Sequence, residues 1–287
     1  MTKTARKVRD VSDLIRTELP LAAGICVVAG QLLALGSLPS PVDALLGFLT
    51  GFFISGALMI TNDYFDLEVD RVNHPGRPLP SDRITVPELV ILTVLFTIAG
   101  LAAATLLGPL MLAIAAALWV SGILYNWKLK ETGLPGNTIV ALSVAATFVS
   151  GGVSVGQTSN GVVWLFGVLA FIFDFAEEIA AGAMDVEGDK LRSARTLAVT
   201  RGRVFALRVS CLLYAVFIVV SFLPYVLSWL GTAYLALVSI TNALVAYLVY
   251  LLLKSENPHD GRKRLRQLYL TLVVFVVALI AVRLLWT

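Results

Sequence analysis

Charge is what this sequence has least of. Of its 287 residues, 14% are Asp, Glu, Lys or Arg against 58% hydrophobic, and the mean hydropathy is +0.86. A soluble domain carries charge on about a quarter of its residues, so a water-soluble globule is excluded. Cysteine is nearly absent. Cys26 and Cys211 each stand alone in an apolar run, without metal-type spacing, and read as small packing residues that say little about redox compartment. The two histidines, His74 and His259, lie in polar loops and read as solvated. Met1 to Glu18 is polar and carries no cleavable signal pattern. The net charge of +3 is modest, and no nucleic-acid partner is expected.

What is present is a series of apolar segments near the roughly 20 residues that cross a bilayer as a helix. Nine spans are predicted: Leu19 to Leu38, Leu45 to Tyr64, Glu88 to Leu107, Pro109 to Trp127, Thr138 to Gly156, Gly161 to Met184, Val204 to Leu223, Gly231 to Leu253 and Leu265 to Trp286. Polar loops cover Asp66 to Pro87 and Asp185 to Arg203, a short loop covers Lys128 to Asn137, and Pro224 breaks the helix between spans seven and eight. The expected fold is an all-α polytopic membrane protein, one domain of nine helices in a bundle around a central cavity. Of the 22 Lys and Arg residues, 21 fall in the N-terminal segment and every second loop, with only Arg283 near the opposite face. The positive-inside rule then places the N-terminus on the cytoplasmic side and the C-terminus outside. The basic run Arg262-Lys263-Arg264 reads as a topology signal or an anionic-lipid contact.

Two acidic stretches break the apolar pattern, both at cytoplasmic span ends. In Asn62-Asp63-Tyr64-Phe65-Asp66-Leu67-Glu68-Val69-Asp70, residues 62, 66 and 70 recur every fourth position. On a helix that spacing makes one stripe, each member displaced by about 40° from the last over about 12 Å. Asp185 and Asp189 repeat the spacing at the end of the sixth span. The pairs 66/185 and 70/189 share an offset of 119 residues, and both are followed by basic residues. Two related halves, about 1–137 and 138–287, are therefore expected, with a site between them.

Asp63, Asp66, Glu68, Asp70, Asp185, Glu187 and Asp189 gather seven of the 19 acids into two short stretches. Brought together at a membrane, they repel one another unless cations sit among them. Hard oxygen ligands suit Mg²⁺, which commonly takes one or two carboxylates plus substrate phosphates. The neighbouring Arg71, Arg77, Lys190 and Arg195 suit phosphate oxygens. Acids for metal and bases for phosphate, beside a hydrophobic bundle, point to a diphosphate carrying a lipid tail.

NDYFDLEVDRVNHPGRPLP and MDVEGDKLRSARTLAV resemble the two signatures, N-x3-D-x3-D and D-x3-D, of the UbiA-type intramembrane prenyltransferases. The resemblance covers most of the chain and implies a membrane enzyme, its site facing the cytoplasm, that moves a prenyl group from an isoprenyl diphosphate to a lipophilic or aromatic acceptor. By carry-over, Asn62, Asp66, Asp70, Asp185 and Asp189 would hold Mg²⁺, two ions in all, against the diphosphate. Arg16, Arg71, Arg77, Tyr125, Lys128, Lys130, Lys190 and Arg195 become candidates for the phosphates. Asp63, Glu68 and Glu187 read equally as solvated or supporting acids.

Two places depart from the family pattern. Many members carry Tyr-x3-Lys after the fourth span, whereas here Tyr125 is followed by Lys128 and Lys130; Lys130 is slightly preferred. Within the sixth span, Asp174, Glu177 and Glu178 precede the D-x3-D motif. Asp174, Glu178 and Asp185 share a face, and acids at such depth commonly point into a cavity. Glu178 reads either as a group that steers the acceptor or takes its proton, or as a neutral structural acid. The N-x3-D-x3-D segment resembles archaeal digeranylgeranylglyceryl phosphate synthases, whereas the D-x3-D segment is at least as similar to quinone-ring prenyltransferases. The reading leans to ether-lipid synthesis, with aromatic prenylation as the alternative. A cation or phospholipid transporter is the remote rival; it would spread charges through membrane depth and leaves the paired arginines unexplained.

Overall fold

In the computed structural model, which describes residues 3–191 and 193–285, the chain is helical, with no strand among the described residues. The order is α1 (Lys3–Ile15), α2 (Glu18–Leu35), α3 (Pro41–Phe65), α4 (Leu67–Asn73), α5 (Val86–Leu106), α6 (Pro109–Trp127), a 3-10 turn (Leu129–Thr132), α7 (Leu134–Ser154), α8 (Gly161–Met184), α9 (Val186–Leu191), α10 (Leu197–Arg201), α11 (Arg203–Val220), α12 (Leu223–Val226), α13 (Thr232–Leu253) and α14 (Pro258–Leu285). Among the described residues, eight segments are long and apolar enough to cross a membrane: α2, α3, α5, α6, α7, α11 with α12, α13 and α14. The 24-residue α8 is equally long but carries Asp174, Glu177 and Glu178. All nine expected segments are helices. The last begins at Pro258 rather than Leu265, because the basic run continues the helix; its expected end at Trp286 lies outside the described residues.

Local chemistry explains the helix starts. Proline occupies the first or second position of α3, α5, α6, α7 and α12, where its missing N–H costs no helical bond. Thr85 and Glu88 form a reciprocal capping box on α5. Pro224 starts the short α12 just after α11 ends.

The loops are more ordered than their polarity suggests. The polar N-terminal segment is helix α1, which buries Leu14 and Ile15. Arg83 ties this helix to the segment before α5, pairing with Asp10 at 2.6 Å and Asp13 at 3.2 Å. The hydrogen bond to Asp10, then that to Asp13, holds the Arg83 guanidinium above its ordinary value, so the tie is charged at any physiological pH. Both long polar loops also contain helix: α4 in the first, α9 and α10 in the second.

Packing follows a recurring pattern. α3 packs against α2 and α5, and α8 packs against α7 and α11. The two sets meet where α2 crosses α7, and that crossing needs glycine. A Cβ on Gly151 would sit 2.8 Å from the Gln31 nitrogen and against the Val27 carbonyl, and one on Gly30 would meet the Phe148 carbonyl. Small residues let the backbones approach this closely. α14 packs on α13, α2 and α8 and closes the bundle. Apolar side chains such as Val90, Ile91, Leu95 and Ile98 of α5 face outward, as a lipid-facing surface requires.

Candidate active site

Both acidic motifs lie at a junction between a long helix and a short one. α3 ends at Phe65, and Asp66 leaves helical geometry at φ −93°, ψ 0° before α4 begins. The bonding ladder nonetheless continues: Asp66 N–H donates to the Asn62 carbonyl at 3.0 Å, and Asp70 N–H to the Asp66 carbonyl at 2.8 Å. Asp185 repeats this between α8 and α9, at φ −116°, ψ 19°, with Asp189 N–H donating to its carbonyl at 2.8 Å. The single stripe expected for residues 62, 66 and 70 is therefore a stripe bent at Asp66.

Asp63, Asp66, Asp70 and Asp185 each meet a base from outside their own helix. Lys130 is ion-paired with Asp66, and Arg77 with Asp70. Arg16 Nη2 lies 2.7 Å from Asp63 Oδ1 and 3.4 Å from Asn62 Oδ1. Arg16 sits between α1 and α2 at φ +49°, a left-handed conformation costing roughly 1–3 kcal/mol in a non-glycine residue. Arg262 Nη1 donates to Asp185 Oδ1 at 2.8 Å and to the Met184 carbonyl at 3.1 Å.

Several expectations change. Asp63 is not a solvated flanking acid: it is 1% exposed, with Arg16 at 2.7 Å and Arg77 at 3.9 Å. Glu68 and Glu187 are exposed and pair with Arg71 and Lys190 on their own short helices. Those pairs leave Arg71 and Lys190 on the surface rather than among the buried acids. Lys128 and Arg195 are exposed too, although the Arg195 N–H donates to the Glu131 carbonyl at 2.8 Å and so docks the loop after the D-x3-D motif on the turn carrying Lys130. Gly133 permits that docking at φ +75°, since a Cβ there would meet the Arg195 carbonyl. Arg262, read from sequence as a topology signal, reaches the D-x3-D motif. Asn126 had no sequence signal. It is buried near the end of α6, donating from Nδ2 to the Leu58 carbonyl at 2.9 Å and Thr61 Oγ1 at 3.0 Å, while its Oδ1 accepts Asn62 Nδ2 at 3.2 Å.

Behind the motifs lies a cavity of about 560 Å³. Its polar lining includes Arg16, Asn62, Tyr125, Asn126 and Glu178; deeper walls are Phe148, Phe166, Phe173 and Phe217. Tyr125 shares this lining with Asn62 of the first motif and with Asp174 and Glu178 of α8, and it lies in the electrostatic field of Glu178, Asp66, Asp174 and Asp189. Asp174 and Glu177 also line the cavity, and Asp174 Oδ2 is buried without a hydrogen-bond partner.

Among the described residues, no three or more Asp, Glu, His or Cys side chains stand close enough to hold a metal by themselves. The donor set is nonetheless all oxygen, and Asp66, Asp70 and Asp185 are each paired with a base. That chemistry fits Mg²⁺ shared between one or two carboxylates and substrate phosphates.

Comparison with known proteins adds a family. Residues 23–286 match the UbiA prenyltransferase family. The chain is 32% identical over 270 residues to digeranylgeranylglyceryl phosphate synthase of Thermococcus kodakarensis, covering 93% of this chain and 96% of that protein. To the synthase of the same name from Archaeoglobus fulgidus it is 33% identical over 284 residues, covering 98% and 96%. A solved structure of a digeranylgeranylglyceryl phosphate synthase in membranes superposes with a TM-score of 0.75 at 29% identity, over 96% of this chain and 98% of that one. A UbiA homologue from Archaeoglobus fulgidus bound to GPP and Mg²⁺ shares the fold, with a TM-score of 0.72 at 19% identity over 96% and 99%.

Proposed function

The chain belongs to the UbiA prenyltransferase family, and we propose that it transfers a prenyl group from an isoprenyl diphosphate to geranylgeranylglyceryl phosphate, an ether-lipid step. The observation that carries the reading is one of placement. Two ion-paired acidic junctions end α3 and α8, and those two helices both line one apolar chamber of about 560 Å³, the arrangement a charged head and a hydrocarbon tail require. The acceptor rests on the names of relatives aligned along nearly the whole chain.

Asn62, Asp66, Asp70, Asp185 and Asp189 would hold Mg²⁺, two ions in this reading, which would supply positive charge against the diphosphate as the C–O bond breaks. Arg16, Arg77 and Lys130, released from their acids, bind phosphate oxygens; Arg16 and Arg77 can each grip two at once. Exposed Arg71, Lys128, Lys190 and Arg195 raise the local concentration of anionic substrates. Tyr125 and Asn126 orient the head group, and Phe148, Phe166, Phe173 and Phe217 exclude water from the allylic cation. When the acceptor hydroxyl forms the new C–O bond, Glu178 takes its proton and pyrophosphate leaves. We read α8 as a ninth span, with the N-terminus and both motifs cytoplasmic, and the chain as one domain of two related halves.

The test is transfer of labelled geranylgeranyl diphosphate by purified protein with Mg²⁺ and either geranylgeranylglyceryl phosphate or an aromatic quinone precursor. Label in the glycerol lipid supports the reading. Label in the ring replaces the acceptor, and no transfer that depends on Mg²⁺ overturns the site.

A further inference from the structure

We infer that Arg262 is a diphosphate-binding residue: it neutralises Asp185 while the site is empty and turns to the phosphates when Asp185 takes up Mg²⁺. The inference rests on the diphosphate reading above and adds a residue from α14, outside both motifs.

Three observations support it. First, the contact is specific. The same Arg262 nitrogen meets Asp185 Oδ1 at 2.8 Å and the Met184 carbonyl at 3.1 Å, where the D-x3-D motif leaves α8. The approach is close enough that a Cβ on neighbouring Gly261 would run into the Met184 side chain. Second, the position has a counterpart. Asp66 and Asp185 occupy matching helix junctions, with near-equal dihedrals and the same onward bond to the acid four residues later. Lys130, in the turn between α6 and α7, pairs with Asp66; Arg262, in the second turn of α14, the helix after α13, pairs with Asp185. α6 is the fourth long helix counting from α2, and α13 is the fourth counting from α7. Each half thus supplies one base to its own first acid from chain that follows its fourth long helix, a turn in the first half and the start of the next helix in the second. Third, the Arg262 side chain is 55% exposed, so its guanidinium is not sealed into the bundle and can turn toward a ligand.

The physical consequence is competition. An arginine and a divalent ion compete for the charge of one exposed carboxylate, so arrival of the ion weakens the hold of Arg262 on Asp185. A diphosphate bound to that ion offers the displaced guanidinium a planar, two-oxygen partner. A residue that merely capped the end of α8 would compete with nothing.

The experiment uses the full-length protein in detergent and compares wild type with Arg262→Gln, Arg262→Lys and, as a reference for the diphosphate reading, Lys130→Gln. Mn²⁺ binding without substrate is read by electron paramagnetic resonance, and binding of the S-thiolo analogue of geranylgeranyl diphosphate by calorimetry with Mg²⁺ present. Arg262→Gln is expected to bind Mn²⁺ alone about two- to fivefold more tightly, the size of an exposed ion pair, and the analogue about tenfold more weakly. Arg262→Lys should recover part of both changes. Unchanged Mn²⁺ and analogue affinities in Arg262→Gln, with or without a lower Tm, overturn the inference if Lys130→Gln still loses analogue binding. If Lys130→Gln also binds the analogue normally, the diphosphate reading falls with it.

Discussion

Asn126 Oδ1 accepts a hydrogen bond from Asn62 Nδ2 at 3.2 Å, so the first residue of the N-x3-D-x3-D motif is oriented from α6. The Asn126 amide is in turn fixed by the Leu58 carbonyl and Thr61 on α3. Partners of this kind aim a ligand as firmly as its own backbone does.

Asn126→Leu should therefore misdirect Asn62 without touching a charge. The expected result is a drop of about tenfold or more in kcat/KM for the isoprenyl diphosphate, with helical content unchanged by circular dichroism. Wild-type kinetics in the variant would show that Asn62 needs no such support.

Asp63 makes the opposite kind of prediction. Its carboxylate is buried between Arg16 and Arg77, so Asp63→Ala leaves Arg16 without its carboxylate while Arg77 keeps Asp70. Removing one member of a buried ion pair costs about 3–5 kcal/mol. The variant should unfold at clearly lower temperature in a detergent melt, and Mg²⁺ with diphosphate should recover part of the loss by giving Arg16 a new partner. A Tm equal to wild type would place Asp63 outside the ion-pair network.

The sequence shows the bundle because span length and hydropathy are local properties, and the two motifs because spacing by four survives even a bend at Asp66. It shows less of what depends on distant partners. Arg262 and Lys263 are indistinguishable as letters in a basic run, yet only the approach of α14 to the end of α8 brings Arg262 to Asp185. Lys130 could be preferred over Lys128 only narrowly, until the 3-10 turn delivered it to Asp66. Asp63 read equally as a solvated or a supporting acid, because the approach of Arg16 and Arg77 that decides between them leaves no mark on the residues around it. Asn126 is one polar residue at the end of an apolar run, and polarity there is ordinary.

Gly151 tests the packing rather than the site. Its neighbours at the α2–α7 crossing are backbone atoms of Val27 and Gln31, which cannot swing aside as a side chain would. Gly151→Val should cost roughly 1–3 kcal/mol or more through overpacking, read as a lowered Tm. A milder loss than in the control Gly188→Val, where a Cβ meets nothing within 4 Å, would contradict the crossing geometry.

A substitution at Glu178 would separate cleavage of the allylic C–O bond from capture of the prenyl group by the acceptor. It lines the cavity near Tyr125, on the helix that ends in the D-x3-D motif, whereas Asp70 stands with Arg77 at the N-x3-D-x3-D motif. If the Glu178 carboxylate receives the acceptor proton, Glu178→Gln preserves shape and removes only that capacity. Transfer should then fall about 10²-fold or more, while affinity for the non-reactive diphosphate analogue stays within a factor of about two, since the amide stays clear of the phosphates. Asp70→Asn should instead lose both if, as proposed, Asp70 acts on the head group before any acceptor is needed. Single-turnover transfer at saturating acceptor, set beside analogue binding in each variant, resolves the two. Wild-type transfer by Glu178→Gln would return that residue to a structural role and leave the acceptor proton to another group, for which Asp174, with its unpartnered Oδ2 in the same cavity, is next in line.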